Sequence, residues 1–159
     1  MQHVLRISRK IDYGLRAMIY LASIDPQAVV PFREIARQMM VPEDFLAKIL
    51  KTLVDQGLVR SLRGPHGGYA LAKPASDVSF LEVIEAVEGP IAINVCLDGE
   101  DPCGKASACT MVDVWRRGQE KMLEVYREAK LADLALKPDA SGQVGFVQLL
   151  GPQVQPRER

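Results

Sequence analysis

The sequence predicts a mainly α-helical chain carrying one small β-hairpin. Three observations carry that expectation. Residues 8–54 hold three successive stretches whose apolar side chains recur every three or four positions. The segment "LVRSLRGPHGGYALAK" then breaks into two short strand-like runs around a glycine-rich tip. Helical spacing returns in a long run from about residue 108 to 131.

In "SRKIDYGLRAMIYLAS", Ile11, Leu15, Met18, Ile19 and Ala22 fall on one stripe, and Ser8 is placed as N-cap. "PFREIARQM" opens with Pro31 at a first-turn position and directs Ile35, Ala36 and Met39 inward. A short turn at Met40–Val41 leads to Pro42, which opens a third helix. There Leu46, Ile49, Leu50, Leu53 and Val54 repeat on one face, and Gly57 supplies a left-handed stop. A short helix, a tight turn and a second helix with a polar outer face make a helix-turn-helix; the basic hairpin after them completes a winged-helix order.

"SFLEVIEAVEGP" carries a capping box, with Ser79 capping the backbone and Glu82 reaching back, and Gly89–Pro90 as the stop. The long helix at 108–131 places Met111, Trp115, Met122 and Tyr126 on one stripe, with Gly118 permitting close approach. Such a helix beyond the compact unit would expose apolar surface in a monomer, so it reads as a dimerisation helix; packing back on its own domain is the alternative. The expected division is a DNA-binding winged helix-turn-helix over 1–75, a linker helix and cysteine loop over 76–107, the dimerisation helix over 108–133, and a tail over 134–159. That tail, broken by Gly and Pro, is expected to lack fixed structure.

Bulk composition narrows the function. At 159 residues, 48% apolar and 25% charged, the chain has the make-up of an ordinary globular domain. No segment is apolar enough for a signal peptide or a bilayer span, and an odd cysteine count fits a reducing, cytoplasmic setting. The neutral net charge conceals a basic half: residues 1–73 hold eleven Lys or Arg against six Asp or Glu, and the remainder is acidic by the same margin. A basic half suggests that one end meets a polyanion. Only two histidines are present, His3 and His66, and no nucleophile–base–acid set accompanies them, so an enzyme is not expected.

The candidate DNA contacts follow from this layout. The polar face of the third helix offers Glu43, Asp44, Phe45, Lys48 and Lys51, with Arg33 on the helix before it. Lysines neutralise phosphates or reach guanine, and carboxylates accept from the cytosine amino group; acids in a first turn also steady the helix dipole without any ligand. Arg60 and Arg63 flank a tip containing His66 and Gly67, slender enough for a narrow groove where arginine is drawn by concentrated negative potential. A phosphate-cradling loop would instead lead into a helix.

All three cysteines, Cys96, Cys103 and Cys109, lie in the polar loop "CLDGEDPCGKASAC" with six and then five intervening residues. Thiolates so placed suit an iron–sulfur cluster completed by one further ligand, whereas structural zinc favours a shorter knuckle. A zinc or thiol-redox switch on the same fold, and an iron–sulfur electron-transfer or cluster-carrier protein, are the competing readings.

Together these pieces resemble the Rrf-two family of winged-helix regulators, which includes the iron–sulfur-assembly regulator IscR and the nitric-oxide sensor NsrR. The resemblance rests on "IDYGLRAMIYLA", "FREIARQMMVPEDFLAKILKTLVDQGLV", "RGPHGGYALAK", "EVIEAVEG" and the three-cysteine loop before "VW". It implies a homodimer with crossed long helices, gripping a pseudo-palindromic operator in double-stranded DNA. It also implies one cluster per protomer, 4Fe-4S or 2Fe-2S, between the cysteine loop and the partner's first helix. In the NsrR-like branch an aspartate of that helix is the fourth ligand, and "IDYGLR" puts Asp12 at that place. IscR-like members use a histidine three residues after the last cysteine; here that position is Val112, with Asp113 adjacent. "GEDPC" is similar to the NsrR loop, although the first cysteine gap is one residue longer here. Arg63 matches the wing arginine that enters the minor groove, and Glu43, Asp44, Phe45, Ala47 and Lys48 cover the recognition face. The function so implied is a cluster-controlled repressor sensing nitric oxide, redox state or iron supply.

Overall fold

The structure is a computed structural model that describes residues 7–99, 103–140 and 144. Helix α1 (Arg9–Ala22) begins where the Ser8 hydroxyl accepts from the Ile11 N–H at 3.2 Å. It buries Ile11, Gly14, Leu15, Ala17, Met18, Tyr20 and Leu21. That is more than one stripe, because α1 is the central helix and has neighbours on several sides. Pro31 and Pro42 sit at the N-caps of α2 (Phe32–Met39) and α3 (Glu43–Asp55), one position before the first turn expected for Pro31. Their extended ψ launches each helix without a side-chain cap. Between the two helices Met40 takes φ 53°, a left-handed conformation that closes the turn and buries Val41. Gly57, φ 72°, stops α3 as expected.

Strands β1 (Val59–Leu62) and β2 (Gly68–Leu71) pair antiparallel, with Arg60 opposite Ala70 and Leu62 opposite Gly68. Val30 adds a third rung: its N–H and carbonyl both bond Tyr69, each at 2.9 Å. This ties the hairpin to the chain entering α2. Position 68 must be glycine, since a Cβ there would stand 2.2 Å from the Val30 carbonyl oxygen.

Helix α4 (Phe80–Glu88) lies against α1 across Gly14, where a Cβ would meet Val87 at 2.9 Å. Only half of the expected capping box forms. Ser79 accepts from the Glu82 N–H, but the Glu82 carboxylate takes the Lys73 ammonium at 2.9 Å instead of turning back.

The long helix α5 spans Val112–Glu128, shorter than expected at both ends. A separate 3-10 turn occupies Ala106–Ala108. At the far end the chain pairs with the start of α4: the Phe80 N–H donates to Ala129 and the Leu131 N–H to Val78. That bridge ends the helix and seats Leu131, at the head of α6 (Leu131–Leu134), in the core. The opening of the tail is likewise placed. The Leu136 N–H donates to Ser23 Oγ at 2.7 Å, and Val144 is buried. Residues 141–143 and 145–159, the rest of the segment expected to be unstructured, lie outside the described residues.

Candidate nucleic-acid interface and cysteine loop

The fold puts the sequence-predicted reading residues on the outer surface of α2, α3 and the hairpin. Arg33, Glu43, Asp44, Phe45, Lys48 and Lys51 are all exposed, as are Arg60, Arg63 and His66. They are not equivalent. Lys51 is held by Asp55 at 2.6 Å, one turn along α3, and Arg60 donates from Nε to the Leu71 carbonyl at 3.3 Å. Lys48 and Arg63 make no ion pair among the described residues, so their charges face outward unopposed. Phe45 is 52% exposed at the start of α3, an apolar side chain of the kind that packs against a thymine methyl. Gly67 has a structural reason to be glycine. Its N–H closes the tip onto Gly64 at 3.0 Å, and a Cβ would stand 2.3 Å from the Leu62 carbonyl oxygen.

Beneath this face lies a link that sequence reasoning missed. Arg16 pairs with Asp12 at 2.8 Å, donates from Nη1 to the Met39 carbonyl at 3.4 Å, and lies over the Tyr13 ring. Tyr13 in turn meets Phe45 edge-on, ring centroids 6.0 Å apart. Asp12 is therefore connected, through one guanidinium, to both the turn and the recognition helix. The i,i+4 spacing of Asp12 and Arg16 was a usable signal for the pair; nothing in the sequence pointed on to Met39. A second hidden contact joins α1 to α2: Tyr20, 1% exposed, donates its hydroxyl to Glu34 at 3.2 Å. Burial, then the Glu34 carboxylate, push the Tyr20 pKa up to about 12.

The cysteine loop hangs between α4 and α5. Cys96 lies in a 3-10 turn (Val95–Leu97) and is half-buried; Cys103 is exposed; Cys109, just before α5, is half-buried. All three are free thiols. Gln119 of α5 fixes the start of the loop by accepting from the Ile93 N–H at 3.0 Å. Three soft sulfur donors have the chemistry an iron–sulfur cluster takes. Within the single chain, however, no three His, Cys, Asp or Glu side chains converge to hold a metal among the described residues. Asp113, the acid beside the IscR-like histidine position, is paired with Arg116.

The α5 stripe divides. Met111, the N-cap residue, is 60% exposed and Trp115 40%, and a Cβ at position 118 would meet only the end of the Ile93 side chain, at 3.9 Å, among the described residues outside its own helix. Met122 and Tyr126 turn inward: both border a cleft shared with Ile11, Ile84 and Ile91, and Tyr126 packs on Phe80 at 5.2 Å. Of the expected dimer stripe, Tyr126 thus packs on its own chain, while Met122 borders the cleft. Val114 and Val125, not singled out from sequence, join the exposed apolar set.

The Rrf2 (Rrf-two) family, described as iron-dependent transcriptional regulators, matches residues 7–137. The chain belongs to this family. A helix-turn-helix-type transcriptional regulator of Mycobacterium tuberculosis is 38% identical over 133 residues, covering 82% of this chain and 81% of that one. The solved structure of CymR, the global cysteine regulator of B. subtilis, superposes with a TM-score of 0.69 at 32% identity, over 83% of this chain and 97% of that one. T. potens IscR gives 0.67 at 28% identity, over 82% and 85%. These likenesses establish the winged-helix fold with its two-stranded hairpin, and make this Rrf2 member a DNA-binding transcriptional regulator rather than an enzyme. No described helix is long and apolar enough to cross a membrane.

Proposed function

We propose that this Rrf2 regulator is a homodimeric repressor whose grip on a pseudo-palindromic operator is set by an iron–sulfur cluster, one per protomer. Cys96, Cys103 and Cys109 hold the cluster, and Asp12 of the partner subunit completes it. The observation that carries this reading is the gathering of every thiol in the chain, all unpaired, into one surface loop of a family described as iron-dependent. Cysteines with only a packing role belong in cores. When bound, the cluster supplies a group that nitric oxide, oxygen or iron shortage alters.

Asp12 is also the residue that Arg16 connects to the Met39 carbonyl and, through Tyr13, to Phe45. Were Asp12 to ligate the cluster it would give up its pair with Arg16, whose guanidinium also donates to the Met39 carbonyl and lies over Tyr13, so ligation would bear on the turn. Magnitude limits what this one pair does. A half-exposed ion pair contributes roughly 0.2–1 kcal/mol, whereas moving an equilibrium from 1:99 to 99:1 takes about 5.5 kcal/mol. The larger share therefore comes from the tie between protomers, which sets the spacing of two recognition helices and two wings. The exposed α5 residues Met111, Val114, Trp115 and Val125 supply the apolar surface for that dimer.

Anaerobic purification followed by iron, sulfide and absorption measurements tests the reading. A coloured dimer containing both elements, bleached by nitric oxide, is the expected result, and Cys103→Ala abolishes iron retention. Zinc without sulfide, or a colourless preparation, overturns it. A second reading has its own support: no group of three metal-holding side chains forms among the described residues of one chain, and the relative of 0.69 TM-score is a cysteine regulator. In that case an oxidant of the peroxide class takes two electrons and two protons from a pair of loop thiols, forming a disulfide as the peroxide is reduced, and operator binding follows that oxidation with no iron present.

A further inference from the structure

Phe45 is the third residue of α3, and it stands among the charged side chains of Glu43, Asp44 and Lys48, all exposed. With 52% of its surface in water, its ring is only half covered by its own chain. A lone exposed apolar residue is ordinary on a protein surface. What sets this one apart is that its ring is held from another helix.

Tyr13 of α1 meets Phe45 edge-on, with ring centroids 6.0 Å apart and ring planes at 70°. Aromatic pairs in this arrangement attract one another beyond the area they bury. Tyr13 has a firm seat of its own. It is half-buried against the core, and the Arg16 guanidinium lies 5.8 Å from its ring centroid. Arg16 in turn is tied to Asp12 and to the Met39 carbonyl. A ring half in water therefore has its orientation fixed by a stack that begins in α1.

The first turn of a recognition helix is the part that reaches base edges. In the major groove, apolar side chains distinguish thymine by its 5-methyl group. We propose that Phe45 reads the methyl group of one thymine in each half-site, and that Tyr13 is the positioning residue that holds the ring for this contact. Ordering a side chain at an interface costs free energy. A ring already held avoids that cost, so Tyr13 favours thymine by way of Phe45. The contact rests on the operator-binding role proposed for α3 and is independent of what the cysteine loop binds.

Duplexes selected from random sequence by the full chain, purified without air, supply the probe. Each thymine is then replaced singly by uracil, which removes only the 5-methyl group. The parent loses affinity by about fourfold at one thymine of each half-site, the effect of one buried methyl. Phe45→Ala binds the thymine and uracil duplexes equally. Tyr13→Leu lowers the thymine-to-uracil ratio below about twofold, whereas Tyr13→Phe, which keeps the ring, retains it. The ratio compares two duplexes against one protein, so any unfolded fraction divides out. A parent indifferent to every uracil overturns the proposal, as does discrimination that survives Phe45→Ala. An undiminished ratio in Tyr13→Leu overturns it too, because the ring then needs no brace. A chain that selects no duplex at all overturns the operator reading along with it.

Discussion

From Ile11 to Val87 the chain buries an almost continuous core; from Ile91 to Glu128 the only buried apolar residue among those described is Val112. The contrast extends to backbone and polar groups. In the first region Val30, Tyr69 and the hairpin lock one another, and Gly14, Gly67 and Gly68 sit where no side chain fits. In the second, three thiols lack partners and Val95, Met111, Val114, Trp115 and Val125 face outward. The DNA-reading half is finished within one chain. The cysteine loop and α5 carry thiols and apolar surface that one chain leaves unused, which is what the proposed cluster-bearing dimer would draw on.

Gly68→Ala is the hardest blow to the finished half. A methyl driven to 2.2 Å from the Val30 carbonyl breaks both Val30–Tyr69 bonds or displaces β2. The expected loss is about 3 kcal/mol, read by urea denaturation, with operator binding impaired beyond the stability change because the wing swings free. If the variant unfolds at the same urea concentration as the parent, the hairpin is not locked to the α2 entry and the contrast fails on its stronger side.

Arg63→Ala probes the same half without touching its packing. Its guanidinium is exposed and has no ion pair among the described residues, so stability stays within about 0.5 kcal/mol. Operator affinity falls by about 1–3 kcal/mol if Arg63 enters a groove, with the salt dependence reduced by about one phosphate contact if it neutralises backbone instead. Lys51→Ala is the control: its ammonium already belongs to Asp55, so it costs less affinity than Arg63→Ala. Equal losses in the two variants would show that Asp55 does not restrain Lys51.

The two halves were also unequally legible in the sequence. Helical periodicity, two prolines and Gly57 placed α1, α2 and α3, and alternation around a glycine-rich tip placed the hairpin, because each is a local pattern with one low-energy backbone. What escaped depended on distant partners. Glu82 left its capping box for Lys73, α5 stopped where Ala129 met Phe80, and Tyr126 turned to Phe80 instead of outward. Leu136 and Val144 found places in a tail whose composition suggested none. For the candidate site, sequence supplied the residue types, and the fold set Lys48 and Arg63 apart from Lys51 and Arg60. It also revealed the Arg16 contact with Met39, which no spacing rule anticipates because the carbonyl belongs to another helix.

The smallest effect concerns the Tyr20–Glu34 contact, which joins α1 to the helix-turn-helix. Tyr20→Phe removes the hydroxyl and lowers stability at pH 7 by about 1 kcal/mol. Glu34 is only half-buried and regains water as a partner. The pH dependence carries the sharper information. In the folded chain burial and Glu34 raise the Tyr20 pKa to about 12, from about 10 when unfolded, so the fold favours the protonated phenol. The stabilisation from this shift is complete below pH 10 and is lost as pH rises toward 12, where the unfolded chain has already released the proton. The parent should therefore lose its advantage over Tyr20→Phe between pH 10 and 12, as read by urea midpoints at pH 7, 10 and 11.5. Taking the difference between the two chains removes the contributions they share. An advantage that stays constant across that range would mean the hydroxyl is not held neutral by the packing of α1 on α2, and the finished half is looser at that joint than its burial indicates.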